Sequence, residues 1–163
     1  MNAGLQKLVD QNFMTEAHGN YIEAAISKQE TIIVSGHKGW GILPLLATIG
    51  AAAKEQFEVK QVKGFDCLKD AVNYFIIASP KEENFEQLVI DAFSVPNTAT
   101  LTLKDPDHPY SIMKALKDVY KNTNDASKVY HVLECAKVNE EKKLAKITRM
   151  KIEEGGKLTK EDL

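Results

Sequence analysis

Apolar residues in this chain fall into two alternating rhythms, one of helical period and one of short continuous runs. Leu5, Leu8 and Val9, then Tyr21, Ile22, Ala25 and Ile26, recur at helical spacing, which predicts two helices or one broken at His18-Gly19-Asn20. Thr31 to Val34 is a buried strand by its apolar run. It leads into a glycine-punctuated turn, Ser35 to Gly41, and then into Ile42 to Gln56, a helix apolar on most sides. Pro44 falls in the first turn of that helix, where a missing N–H costs nothing. Phe57 to Val62 reads as a second strand, closed by Lys63-Gly64. Phe65 to Asn73 reads as a short helix with Asp66 at its N-cap.

Tyr74 to Ala78 is too short and too continuously apolar for a surface helix, so it predicts a central parallel strand covered on both faces. Glu82 to Phe93 returns to helical spacing, Thr98 to Leu103 alternates as a fourth strand, and Tyr110 to Tyr120 is helical again. Val129 to Val138 and Leu144 to Ile152 then predict an antiparallel hairpin, with Glu153 to Leu163 a loose, charged tail. The whole predicts one α/β domain over residues 1–163: three layers, a mostly parallel sheet and a C-terminal antiparallel hairpin.

Composition narrows the class. The chain has 163 residues, 44% hydrophobic and 27% charged, the proportions of an ordinary globular protein. Arg149 is the sole arginine, which argues against a dedicated nucleic-acid binder, because arginine is the usual partner of phosphates and base edges. Cys67 and Cys135 lie far apart with no CxxC, and the four histidines form no close pair, so neither a disulfide framework nor a metal site is expected. No run reaches the roughly 18 apolar residues of a membrane span, and no signal-peptide core opens the chain. The expected location is the cytoplasm.

Ligands of open α/β sheets bind outside the carboxyl ends of the parallel strands, so the loops after the first four strands are where chemistry is expected. The first, Ser35-Gly36-His37-Lys38-Gly39-Trp40-Gly41, carries three glycines in six positions and a lysine, a combination suited to a small anion. It matches neither G-x-x-x-x-G-K-[ST] nor G-x-G-x-x-G, and a tight turn with glycines for packing is the competing reading. Ser35, the Gly36 and Gly39 amides, Lys38 for charge, Trp40 for stacking and Ser79 for a hydroxyl contact are the ligand-binding candidates. His37 and Glu83 are the acid or base candidates. His37 and His108 converge only if the first and fourth strands are neighbours. No cofactor is implied.

IIVSGHKGWG after a lead-in helix, NYFIIASPKEENFEQLVIDAF and TATLTLKD together resemble the sugar isomerase (SIS) domain over about Tyr21 to Leu103. That resemblance implies a doubly wound α/β fold and a phosphorylated sugar as ligand. Of the family's phosphate-loop hydroxyls only Ser79 carries over, and Trp40 stands where the family has a serine. A second resemblance, through TIIVSGHKGWG, FEVKQVKG and FDCLKDAV, is to the Alba-type nucleic-acid-binding fold, with Lys38 and Lys63 as basic contacts and Tyr74 to Ala78 as a helix end. A third reading is a non-catalytic scaffold, a homo-oligomer joined through its hairpin and apolar surfaces.

Overall fold

The strands that are apolar on both faces lie in the middle of one seven-stranded sheet. The computed structural model describes residues 1–78 and 84–163. Helices α1 (Ala3–Asp10) and α2 (Glu16–Ser27) precede β1 (Thr31–Ser35), α3 (Ile42–Lys54), β2 (Val59–Gln61), a 3-10 helix (Phe65–Lys69) and β3 (Tyr74–Ile77). Then follow α4 (Phe85–Ser94), β4 (Ala99–Lys104), α5 (Ile112–Thr123), β5 (Val129–Val138), β6 (Glu141–Ile152) and β7 (Leu158–Asp162). The order is β2-β3-β4-β1-β5-β6-β7, parallel from β2 to β5 and antiparallel from β5 to β7. The α/β class, the mostly parallel sheet and its antiparallel C-terminal edge are as the sequence predicts.

Two cores sandwich the sheet. Ile32 and Val34 of β1 face one core with α1, α2 and α3, while Ile33 faces the other with α4 and α5. Because successive side chains point to opposite faces, a strand buried on both reads most simply as an unbroken apolar run, and Ile32 to Val34 does. β4 reaches the same burial with threonines on one face. Thr100 and Thr102 are fully buried, and the Thr102 hydroxyl donates to the Ile77 carbonyl at 2.9 Å. The Thr31 hydroxyl accepts from the Thr100 N–H at 3.1 Å. The helix α3 carries no charge from Ile42 to Ala53, and at Gly50 a β-carbon would come within 2.9 Å of Ile76 Cδ1, so the glycine permits a close helix–sheet approach.

Polar residues set the helix starts. Asn2 caps α1, and Thr15 with His18 forms a capping box on α2, which is the role of His18.

Two predicted segments differ. Phe65 to Asn73 is helical only to Lys69, since Asn73 is drawn out against Glu58 by a backbone bond of 3.1 Å and a side-chain bond of 3.0 Å. The tail predicted loose from Glu153 forms β7 over Leu158–Asp162 on the edge of β6, making the hairpin a three-stranded meander. Gly155 and Gly156 reverse the chain at φ +92° and +90°, and Glu153 N–H donates to Lys157 O at 2.8 Å to close the turn. No helix of the described residues is long and apolar enough to cross a membrane.

Candidate functional site

At one place the loops leaving the carboxyl end of the sheet part to opposite faces. β1 and β4 are neighbours, yet α3, which follows β1, packs in the first core and α5, which follows β4, packs in the second. Such a switch point leaves a crevice outside the strand ends. Ser35, Gly36 and His37 form one wall; Lys104, Asp105, Pro106 and Pro109 form the other, around about 280 Å³. Ser35, Lys104 and Pro109 also line a wider groove of about 880 Å³, which runs on past the start of α5 over β5, β6 and β7.

The glycines of the β1–α3 loop divide by what surrounds them. Gly36 has φ +151°, donates its N–H to Lys104 O at 3.1 Å, and is closely packed: a β-carbon there would stand 3.1 Å from both Cys135 O and Ile42 Cγ2. Its amide is therefore held in the β1–β4 ladder, whereas the sequence assigned it to a ligand oxygen. Gly41, at φ +91°, packs against the ring of Phe13. Gly39 has φ +85° and open space around it. The amides of Gly39, Gly41, Ile42 and Leu43 have no acceptor among the described residues.

Gly36 and Gly41 stand at the separation of the two glycines in G-x-x-x-x-G-K-[ST], also at a strand-to-helix turn. The next two residues are Ile42, buried, and Leu43, 48% exposed. The lysine and hydroxyl that would hold a triphosphate and its magnesium are thus replaced by hydrocarbon.

Two ionic arrangements stand beside the crevice. Lys38 Nζ lies 2.6 Å from Asp107 Oδ2, joining the loops after β1 and β4. That hydrogen bond and charge hold Lys38 above the usual lysine range and Asp107 below the usual carboxylate range. Asp105, its side chain 2% exposed, accepts from the His108 backbone N–H and meets His108 Nδ1, each at 2.8 Å. Phe85 packs on the imidazole at a ring separation of 4.7 Å. With Nδ1–H donated to the carboxylate, Nε2 is left as the acceptor, the arrangement that makes a histidine a directed base.

No family model and no curated protein matches this chain.

The structure brings Ser35, Gly36 and His37 to the crevice; Lys38 is outside its lining and pairs with Asp107. Trp40 is half-buried against the first core and its ring sits 4.4 Å from that of His37, so it supports the loop from the α3 side and is not part of the crevice lining. Gly39 is likewise outside the lining. Ser79 and Glu83 lie outside the described residues. Cys135, buried beneath Gly36, has its thiol pushed up to about 12 by burial and is no nucleophile. Both cysteines are free.

Sequence reasoning passed over Lys104 and Glu134, which flank Ser35 in register on β4 and β5. That Lys104 follows one predicted strand and Glu134 lies within another was visible. That these strands neighbour β1 was not. Tyr74–Ile77 is a strand between β2 and β4, where the Alba-type arrangement requires a helix end.

Proposed function

We propose that this chain binds a small phosphate-bearing metabolite, a phosphorylated sugar or a nucleoside monophosphate, in the crevice between β1 and β4 and the groove beyond it. The observation that carries the reading is the switch point itself: a concave opening at the strand ends with Lys104 at its throat, free of any ion pair among the described residues. Lys104 and Ser35 meet the phosphate, and the groove takes the rest. The resemblance of the β1 loop to the sugar isomerase domain points to the same ligand class. A triphosphate is not expected, because Ile42 and Leu43 offer its terminal phosphate and metal nothing. His37, which lines the crevice, is the nearer group to move a proton on the bound ligand; His108, held by Asp105, is outside the lining.

A thermal-shift panel of sugar phosphates and nucleoside monophosphates tests this. At a hundredfold excess over Kd, binding adds about 2.7 kcal/mol, which raises Tm by roughly 5 to 10 °C for a chain of this length. Lys104→Met is expected to abolish the shift. A panel that moves nothing, or a shift that survives Lys104→Met, defeats the proposal.

Asp107 bears on the same site through Lys38. Asp107→Asn releases the Lys38 ammonium from its partner, so inorganic phosphate is expected to bind about threefold more tightly by calorimetry. Unchanged affinity would place Lys38 outside the phosphate's reach.

A further inference from the structure

Beyond the phosphate, the groove presents an ordered row of charge. Lys104, Ser35, Glu134 and Lys146 are register partners on β4, β1, β5 and β6, and all four line the groove. Adjacent strands lie about 4.8 Å apart, so the row alternates cation, hydroxyl, anion and cation over roughly 14 Å. A β-bulge falls between Glu134 and Cys135 in the β5–β6 pairing, at the point where the row crosses onto the antiparallel edge.

The charges are not equally available. Lys146 lies 3.4 Å from Asp162, and Asp162 also accepts from the Thr148 hydroxyl at 3.1 Å, so that pair is satisfied within the sheet. Glu134 is exposed and, like Lys104, has no ion partner among the described residues. Leu133 and Cys135 on either side of it are buried on the opposite face, which directs Glu134 into the groove. The row therefore offers one available cation and, two strands away, one available carboxylate. Lys160 on β7 also lines the groove without an ion partner among the described residues, but it lies beyond Lys146 at the outer strand; a second anionic group two strands from Lys104 would meet the Glu134 carboxylate and be repelled.

We infer that the ligand is a zwitterion, a phosphate ester bearing a primary amine, whose phosphate sits over Lys104 and Ser35 and whose ammonium is received by Glu134. The inference rests on the reading of the crevice as a phosphate site and adds the second recognition point. An exposed carboxylate–ammonium pair contributes at most about fivefold in affinity, and that is the preference to look for.

The experiment compares O-phosphoethanolamine with ethyl phosphate, which lacks the amine, by calorimetry on the wild-type chain, Glu134→Gln and Lys104→Met. Lys104 ends β4 half-buried and Glu134 is an exposed position within β5, and far-UV circular dichroism verifies that each variant is folded. The wild type is expected to prefer O-phosphoethanolamine about fivefold, Glu134→Gln to bind the two equally, and Lys104→Met to weaken both together. Equal binding of the two by the wild type overturns the zwitterion and leaves the phosphate site standing. A preference that persists in Glu134→Gln also overturns it. Binding of neither compound overturns the phosphate site and the inference with it.

Discussion

Gly41→Ala is expected to cost about 3 kcal/mol of unfolding free energy, and Gly39→Ala, two residues earlier in the same loop, only about 1. Both glycines have left-handed backbones, at φ +91° and +85°, and an L-residue there costs about 1 kcal/mol. The difference lies in what a β-carbon meets. At Gly39 it enters open space; at Gly41 it stands 2.6 Å from Phe13 Cε1 and 3.1 Å from Cζ. Phe13 belongs to the first core, and its carbonyl accepts from Leu144 N–H at 2.8 Å, so the ring cannot retreat without disturbing the seat of the β5–β6 hairpin. Overpacking of that kind costs typically 1 to 3 kcal/mol on top of the backbone term. Urea unfolding reads it directly: the midpoint for Gly41→Ala falls by roughly 1 to 2 M, that for Gly39→Ala by less than half as much. Equal midpoints would mean that Phe13 yields freely and that the loop is not anchored there. The pair also separates architecture from binding, since Gly39 can be changed without unseating the helix that follows.

The residues that made the fold legible were those buried on two faces. Ile32 to Val34 and Tyr74 to Ile77 are apolar without alternation because helices cover both sides, and a short run of that kind between turn residues has few other solutions. β4 was legible for a different reason. Its TATLTL alternation would equally suit a sheet with one wet face, and only the structure shows that the threonines are buried too. β7 was not legible, because it pairs through its backbone along the edge of β6, and five residues holding one apolar side chain leave no periodic trace.

The site divides in the same way. The glycine loop announced itself through residues that only a strained turn requires. Lys104, Glu134 and the Asp105–His108 pair carried no local signal, since their meaning comes from β4 and β5 flanking β1, and strand order is a property of the crossovers and not of any one segment. The conditional reading of His108 shows the limit well. It needed β1 beside β4, and that is where β4 lies.

The other large effect is expected at the amino end of the sheet, in a buried group unconnected with the crevice: between pH 7.5 and 5 the wild-type chain loses stability that His131→Leu retains. His131 of β5 is 3% exposed, with Nδ1 2.7 Å from the Tyr21 hydroxyl on α2 and Nε2 2.9 Å from Glu30 Oε1 in the turn before β1. The neutral ring satisfies both partners if Tyr21 donates to Nδ1 and Nε2–H donates to Glu30. Burial lowers the imidazole below its usual range. The Glu30 hydrogen bond and charge oppose that, while Arg149 on β6 and Lys28 add to it. Because the folded value lies below the unfolded value of about 6.5, the unfolded chain binds the proton first. The contribution is fully present above about 6.5 and is lost as the pH falls through the folded value, at no more than about 1.4 kcal/mol per pH unit for one proton. Asp107, Asp125 and Asp162 are all held below the usual carboxylate range, so their contributions persist until the pH falls below about 4 and do not overlap this window. His18, also lowered by burial, supplies the residual slope expected in the variant. Urea midpoints at pH 7.5 and 5 for wild type and His131→Leu decide the matter, and equal slopes would remove His131 from the account. Glu30→Leu supplies the companion measurement at pH 7.5, where a buried Nε2–H left without an acceptor is expected to cost about 2 kcal/mol.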